Sequence, residues 1–196
     1  RSEQPRQKDS PSIDTLEAGG NAMDAAIAGA VLLGLCEPAM TGIGGDCFVL
    51  WSESDRKDIK GLNGSGRAPA ALDAALLRDA GEEIVPVFSA HAVTIPTAIS
   101  AFARLSEEVG KLGFDRLLAP SIKHAEEGIP VAPRVAFDWE NYAHNLQGSA
   151  REKFLLDGKA PRKGDIFRAP GQAEVLRRIA RDGPDAFYTG EVAQDM

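Results

Sequence analysis

One stretch limits what this chain can fold into. It runs from Gly19-Gly20-Asn21-Ala22-Met23-Asp24 through Gly42-Ile43-Gly44-Gly45-Asp46-Cys47-Phe48-Val49-Leu50-Trp51. The order is a glycine turn, an apolar helix, a second glycine-rich turn and an apolar strand. The helix is expected over about Ala22 to Cys36. Asn21 can cap it, and Asp24, three residues on, can reach back toward the cap. Ala22, Ala25, Ala26, Ala28, Gly29 and Ala30 keep much of its surface small, and Ile27, Val31, Leu32, Leu33 and Leu35 make the rest apolar. A helix apolar nearly all round belongs in a protein interior. It is short for a membrane span and Asp24 interrupts it, so a helix buried within the protein is the reading adopted.

The remaining sequence supplies the layers such a helix needs. Its 196 residues, 43% apolar and 26% charged, are enough for a domain with a real core. A net charge of −7 argues against nucleic acid as a partner, because phosphate binding needs a basic face. The basic clusters Arg177/Arg178/Arg181 and Lys159 to Lys163 read as solvated surface. Cys36 and Cys47 have apolar flanks and read as two buried free thiols, not a disulfide framework. The chain opens on Arg1 with no charged-then-apolar leader, which reads as a processed product or a fragment. Cytoplasm and periplasm both stay open as compartments.

Along the chain, residues 1–12 are polar and irregular in expectation, and Ile13 to Glu17 form a helical turn. Phe48 to Trp51 and Ile59 to Leu62 are strand candidates joined by the polar hairpin segment 52–58. A short helix is expected over Leu72 to Arg78. Val85-Pro86-Val87 and His91 to Ile95 look extended. Further helices are expected from Pro96 to about Val109, over Asp115 to Glu127 with Pro120 in the first turn, and over Arg134 to His144. Phe154-Leu155-Leu156-Asp157-Gly158 ends in a turn, and Gln172 to Arg181 is a helix in which Glu174 can pair with Arg178. Another helix begins before Met196. No internal domain boundary is expected.

The glycine turns invite nucleotide readings that fail. Gly42-Ile43-Gly44-Gly45 lacks the third glycine of a dinucleotide fingerprint and precedes a strand instead of following one. His91, His124 and His144 share no metal spacing with each other or with the cysteines, so no metal or other cofactor is expected. Ser65 has glycines directly beside it and does not fit the nucleophile-elbow spacing. The acidic pairs Glu82-Glu83 and Glu126-Glu127 are explained by solvation. Arg67 stands apart, in Gly61-Leu62-Asn63-Gly64-Ser65-Gly66-Arg67-Ala68-Pro69. The glycines permit close approach of another group, and an arginine there can present its fork to a carboxylate. A structural arginine bonded to loop carbonyls is the equal alternative. The residues alone supply no complete catalytic set.

Gly19-Gly20-Asn21-Ala22-Met23-Asp24-Ala25-Ala26, Glu37-Pro38 and Gly42-Ile43-Gly44-Gly45-Asp46 together resemble the γ-glutamyltranspeptidase family. The resemblance continues through Ala68-Pro69-Ala70, Val93-Thr94-Ile95-Pro96, Leu118-Ala119-Pro120-Ser121-Ile122 and Glu127-Gly128-Ile129-Pro130-Val131. It ends with Asp157-Gly158-Lys159, Gly164-Asp165, Arg168, Pro170 and Asp185-Ala186-Phe187-Tyr188-Thr189-Gly190-Glu191. Several independent motifs in order make it specific, from about Thr15 onward.

The resemblance implies an α/β (α+β) N-terminal-nucleophile hydrolase, a four-layer αββα sandwich of which this chain, residues 1–196, is the front part of the large subunit. Such proteins are made as one precursor that cuts itself. The new N-terminal threonine of the small subunit becomes the nucleophile, with its own α-amine as base. Thr15, Thr41, Thr94, Thr97 and Thr189 are the chain's threonines, and none sits in a threonine-rich processing context, so no catalytic residue is expected here. The implied partners are a small amide substrate and the small subunit of the same precursor, with no nucleic acid and no membrane. The family grips the substrate carboxylate with an arginine a few residues before an Ala-Pro pair. Strict alignment puts Ser65 at that place, and Arg67 lies directly before Ala68-Pro69. The substrate-binding candidates are therefore Arg67 and Ser65. The departure, and Thr97 where glycine is common, open a second specificity, oxamate-like or cephalosporin-like amides, beside γ-glutamyl amides. A catalytically silent scaffold is the alternative from another class.

Overall fold

A computed structural model describes residues 10–53 and 57–196. The expectations for residues 1–9 and for the middle of the 52–58 hairpin segment lie outside the described residues. The chain is mixed helix and sheet and divides into two compact units, Arg1–Gly42 with Phe102–Met196, and Ile43–Ala101.

The first unit begins with α1 (Pro11–Glu17) and α2 (Ala22–Cys36). The capping box expected at Asn21 is complete: the Asp24 amide donates to Asn21 Oδ1 at 3.0 Å, and the Asn21 amide donates to Asp24 Oδ2 at 2.9 Å. Asp24 is fully buried. It also accepts from the amides of Lys111 (2.9 Å) and Leu112 (3.4 Å), while Asn21 Nδ2 donates to the Val109 carbonyl at 2.7 Å. The helix cap thus reaches residues almost ninety positions away. Gly29 lets α1 lie close: a Cβ there would sit 2.6 Å from Ser12 Oγ, which donates to the Ala25 carbonyl.

The expectation of burial all round α2 holds for one side. Met23, Ala25, Ile27, Ala28, Val31 and Leu35 are buried, whereas Ala22, Ala26 and Leu33 are exposed in this chain. Their spacing of four and seven places them on one stripe.

α4 (Ala98–Glu108) crosses the boundary between the units, and α5 (Phe114–Glu127) follows it. Pro120 lies in the interior of α5, not in its first turn, because the helix starts six residues earlier, at Phe114. α5 packs against α2 and against α8 (Pro170–Asp182). Gly128 ends α5 at φ 95°, where a Cβ would meet Ile166 Cγ2 at 2.5 Å. The chain then enters β3 (Ile129–Pro130), which pairs antiparallel with β4 (Ile166–Phe167). The Val131 amide donates to the Asp165 carbonyl and the Gly164 amide to the Val131 carbonyl, both at 2.9 Å. This ladder clips the ends of an excursion containing α6 (Pro133–Tyr142), a 3-10 turn at Ala143–Asn145 and α7 (Ser149–Phe154).

A core cluster forms here from Leu35, Ala125, Ile129, Val131, Val135, Trp139, Phe167 and Ala173. The Trp139 and Phe167 rings meet edge-on with centroids 4.7 Å apart, and Phe154 joins them at 6.5 and 6.3 Å. α9 (Asp185–Tyr188) and α10 (Gly190–Asp195) complete the unit. The basic cluster lies at the surface, as expected, and its charges are paired there: Arg178 with Glu174 and Glu191, Arg177 with Glu174 and Glu126, and Arg181 with Asp182.

The second unit is built on a hairpin, β1 (Cys47–Trp51) paired antiparallel with β2 (Lys60–Gly64), in the register Cys47↔Gly64 to Trp51↔Lys60. α3 (Ala74–Asp79) is capped by Asp73, whose Oδ1 accepts from the Ala75 amide. The extended expectation for His91 to Ile95 is corrected at its start. A 3-10 turn occupies Ala90–Ala92, and the chain is extended from Val93. The first turn of α4 closes the unit, with the Thr97 and Ala98 amides both donating to the Gly45 carbonyl at 3.1 Å.

Candidate functional site

The loop leaving β2 carries both sequence candidates, and its geometry follows from backbone accounting. A loop carbonyl near the surface needs a donor from water or from protein. Four consecutive carbonyls here find protein donors. Thr97 Oγ1 donates to Gly64 O, and Thr94 Oγ1 donates to Ser65 O at 3.2 Å. Ser65 Oγ donates to Gly66 O at 3.5 Å, and the Ile95 amide donates to Arg67 O at 2.9 Å. The Ser65 amide in turn donates to Asn63 Oδ1 at 3.0 Å.

The glycines are required by close approach as well as by torsion. Gly66 adopts φ 75°, and a Cβ there would lie 2.2 Å from the Ile95 carbonyl oxygen. At Gly64 a Cβ would lie 2.8 Å from the Cys47 carbonyl oxygen. The loop therefore runs hard against the Thr94–Ile95 backbone and the start of β1.

Ser65, Arg67, Asn63, Ile95 and Thr97 line one cavity of about 380 Å³, together with the backbone of Gly64 and Gly66. The two sequence candidates are thus brought together. Arg67 is exposed and carries the charge of the cavity: every other described lining residue is neutral. Among the described residues its guanidinium makes no ion pair and donates no hydrogen bond to the loop carbonyls. Of the two readings the sequence left open, the structural arginine lacks its bonds. A cation left without a protein partner beside neutral donors can receive a carboxylate in two parallel hydrogen bonds.

Thr94, Thr97 and Asn63 were not singled out as site residues by the sequence. A signal existed in the two hydroxyl residues flanking Ile95-Pro96, but it says nothing of what they face. Cys47 borders this loop through its carbonyl. Burial pushes its thiol up from the ordinary value, and the neighbouring Asp46 charge adds to the shift. The histidines do not assemble: His91 sits in the 3-10 turn at Ala90–Ala92, His124 on α5 and His144 in the turn at Ala143–Asn145. Among the described residues no group of three His, Cys, Asp or Glu could hold a metal. A smaller pocket of about 110 Å³ is lined by Pro38, Ala39, Trp139, Tyr142, Leu146 and Phe154, none of them charged.

The gamma-glutamyltranspeptidase family profile matches residues 12–196, nearly the whole chain. The chain belongs to the gamma-glutamyltranspeptidase family. It is 31% identical over 188 residues to the glutathione hydrolase proenzyme of Bacillus subtilis, covering 93% of this chain and 32% of that protein. It is 36% identical over 193 residues to the oxamate amidohydrolase proenzyme of Klebsiella pneumoniae, covering 94% and 36%. The crystal structure of cephalosporin acylase from Bacillus halodurans superposes with a TM-score of 0.86 at 39% identity, covering 94% of this chain and 36% of that one. The chain spans about a third of the length of the curated relatives it matches. The oxamate amidohydrolase and the cephalosporin acylase share a higher percentage of identical residues with the chain than this glutathione hydrolase does.

Proposed function

We propose that this chain is the front part of the large subunit of a self-processing amide-cleaving enzyme, and that the loop 64–67 forms one wall of its substrate site. The complete protein is then a four-layer αββα sandwich made with the small subunit of the same precursor. The observation that carries the reading is the unpaired Arg67 guanidinium on a neutral cavity of about 380 Å³. Its task is to receive the carboxylate of a small amide substrate, with Ser65 and Asn63 supplying neutral hydrogen-bonding groups beside it. The bond-breaking group lies on the small subunit. Its N-terminal threonine hydroxyl attacks the amide carbonyl, the threonine α-amine takes the proton, and the leaving amine departs with it. Water, or an amino group, then accepts the acyl chain from the ester.

For the acyl group, γ-glutamyl amides of the glutathione kind are the first reading. A second reading, a smaller amide such as oxamate, is favoured by a specific observation: a short serine fills the place of the family's arginine, and the remaining cation sits two residues further on. A catalytically silent scaffold is the reading these proposals exclude.

Expression of the full-length precursor tests the proposal. We expect self-cleavage into two subunits and amidase activity, with glutathione and oxamate compared side by side. Arg67→Lys should leave self-cleavage intact and raise KM about 5–30-fold, the worth of one lost bond of a bidentate pair at about 1–2 kcal/mol. A precursor that stays uncut and inert, or an Arg67→Lys enzyme with unchanged kinetics, counts against it.

A further inference from the structure

We infer that Thr94 and Thr97 are positioning residues that latch the loop carrying Arg67 to the start of α4 and so fix where its guanidinium can meet a carboxylate. The inference rests on the reading of Arg67 as a carboxylate receptor.

The latch has a firm side and a free side. The firm side is the helix start. Ala98 and Ile99 are buried, and the Thr97 and Ala98 amides share the Gly45 carbonyl at 3.1 Å. Thr97 is therefore held by the backbone at its own position before its side chain acts. The free side is the loop, in which Arg67 is exposed and Ser65 half-buried. Two threonine hydroxyls donate to successive loop carbonyls: Thr97 to Gly64 and Thr94 to Ser65. The Ile95 amide donates to the next carbonyl but one, that of Arg67, at 2.9 Å. The bonds thus run in parallel along one edge of the loop, like the rungs of a short ladder in which side chains replace two amides.

This substitution has a physical cause. Pro96 has no N–H to give, and Gly66 at φ 75° turns the loop away from strand geometry, so a regular ladder cannot continue past Gly64. Hydroxyl donors reach where amides cannot. The close contact at Gly66, where no Cβ fits against the Ile95 carbonyl, fixes the depth of the seat. A long exposed side chain such as Arg67 keeps its own rotamer freedom, so what the protein can fix is the backbone from which it springs. A displacement of about 1 Å at such a position is enough to cost binding or rate.

The test uses the full-length, self-cleaved enzyme with oxamate and glutathione as probes. Thr97→Val should raise KM by about fivefold or more while kcat stays within about twofold, and Thr97→Ser should restore it, because serine keeps the donor. Combined with Arg67→Lys, Thr97→Val should add little further, since both act on one contact. Hydrogen exchange at the Ser65 and Ile95 amides should be faster in Thr97→Val and normal in Thr97→Ser. If Thr97→Val does not fold, Thr94→Val, which touches only the exposed end of the latch, should give the same KM and exchange changes in smaller measure. A silent Thr97→Val beside an Arg67→Lys that raises KM overturns the latch and leaves the carboxylate reading standing. A silent Arg67→Lys overturns the carboxylate reading and with it the positioning role, even where Thr97→Val speeds exchange. Effects of the two substitutions that simply add also overturn it.

Discussion

Asp24→Asn is the sharpest probe of how the central helix is held. Wild-type Asp24 Oδ2 accepts from the Asn21 and Lys111 amides at 2.9 Å, and Oδ1 accepts from the Leu112 amide at 3.4 Å. The residue is fully buried, so water does not replace a lost partner. Asparagine keeps one oxygen. In its better orientation that oxygen takes the Oδ2 place and retains both short bonds, now neutral and weaker by about 1 kcal/mol each. Its amide group then faces the Leu112 N–H donor to donor, adding about another 0.5–1 kcal/mol. The expected loss is about 2–3 kcal/mol, or about 4–12 °C in Tm for a chain of this size. Asp24→Ala removes the acceptor of all three donors, which lie in part-buried positions, and should cost about 3–5 kcal/mol. Thermal and urea unfolding followed by circular dichroism measure both. Hydrogen exchange adds a local signature: the Lys111 and Leu112 amides should lose protection before the middle of α2 does. If both variants unfold within about 0.5 kcal/mol of wild type, Asp24 does not fasten α2 to residues 109–112.

Two further outcomes are expected. Ser121 is fully buried on α5 and its hydroxyl has no hydrogen-bond partner among the described residues, so Ser121→Ala should leave stability unchanged or raise it by about 1 kcal/mol; a clear loss in denaturant midpoint would show that the hydroxyl is bonded after all. The Cys47 thiol is raised by burial first and by Asp46 second, so the thiolate is scarcer at neutral pH than in a free cysteine. Labelling by a thiol reagent should be slower than that of a free thiol near pH 7.5 and should climb as pH rises, and Asp46→Asn should quicken it; a rate equal to free cysteine at every pH would contradict this.

Much of the fold was legible because the signals were local. Asn21 and Asp24 are three residues apart, and the cap they form is a property of that spacing. Glu174 and Arg178 meet for the same reason. What the sequence could not announce is contact at long range. Nothing near Asp24 says that its carboxylate also binds Lys111 and Leu112, and the two-residue strands β3 and β4 are too short to leave a periodic trace. The 3-10 turn at Ala90–Ala92 was missed because three residues make a single turn and leave no periodic pattern. At the site, the glycines flanking Ser65 and the isolated charge of Arg67 marked the loop. Thr94 and Thr97 stayed hidden because a threonine looks alike in sequence whether its hydroxyl faces water or a carbonyl. The family motifs placed the chain, yet the motif residues that decide packing, such as Gly128 against Ile166, become intelligible only once the neighbouring strand is in view.

The small ladder between Ile129–Pro130 and Ile166–Phe167 has a consequence for how this protein can change over generations. It ties both ends of the 131–165 excursion, and the rings of Trp139, Phe154 and Phe167 tie its middle. Between Trp139 and Phe154 the turn around Gln147–Gly148 is exposed. Lengthening a closed loop costs little: doubling it adds only about 0.6 kcal/mol. Descendants of this chain can therefore gain or lose whole segments at that turn while the ladder and the rings keep the fold unaware of it. The excursion is a place where new surface can be tried without unpicking the ladder that bounds it.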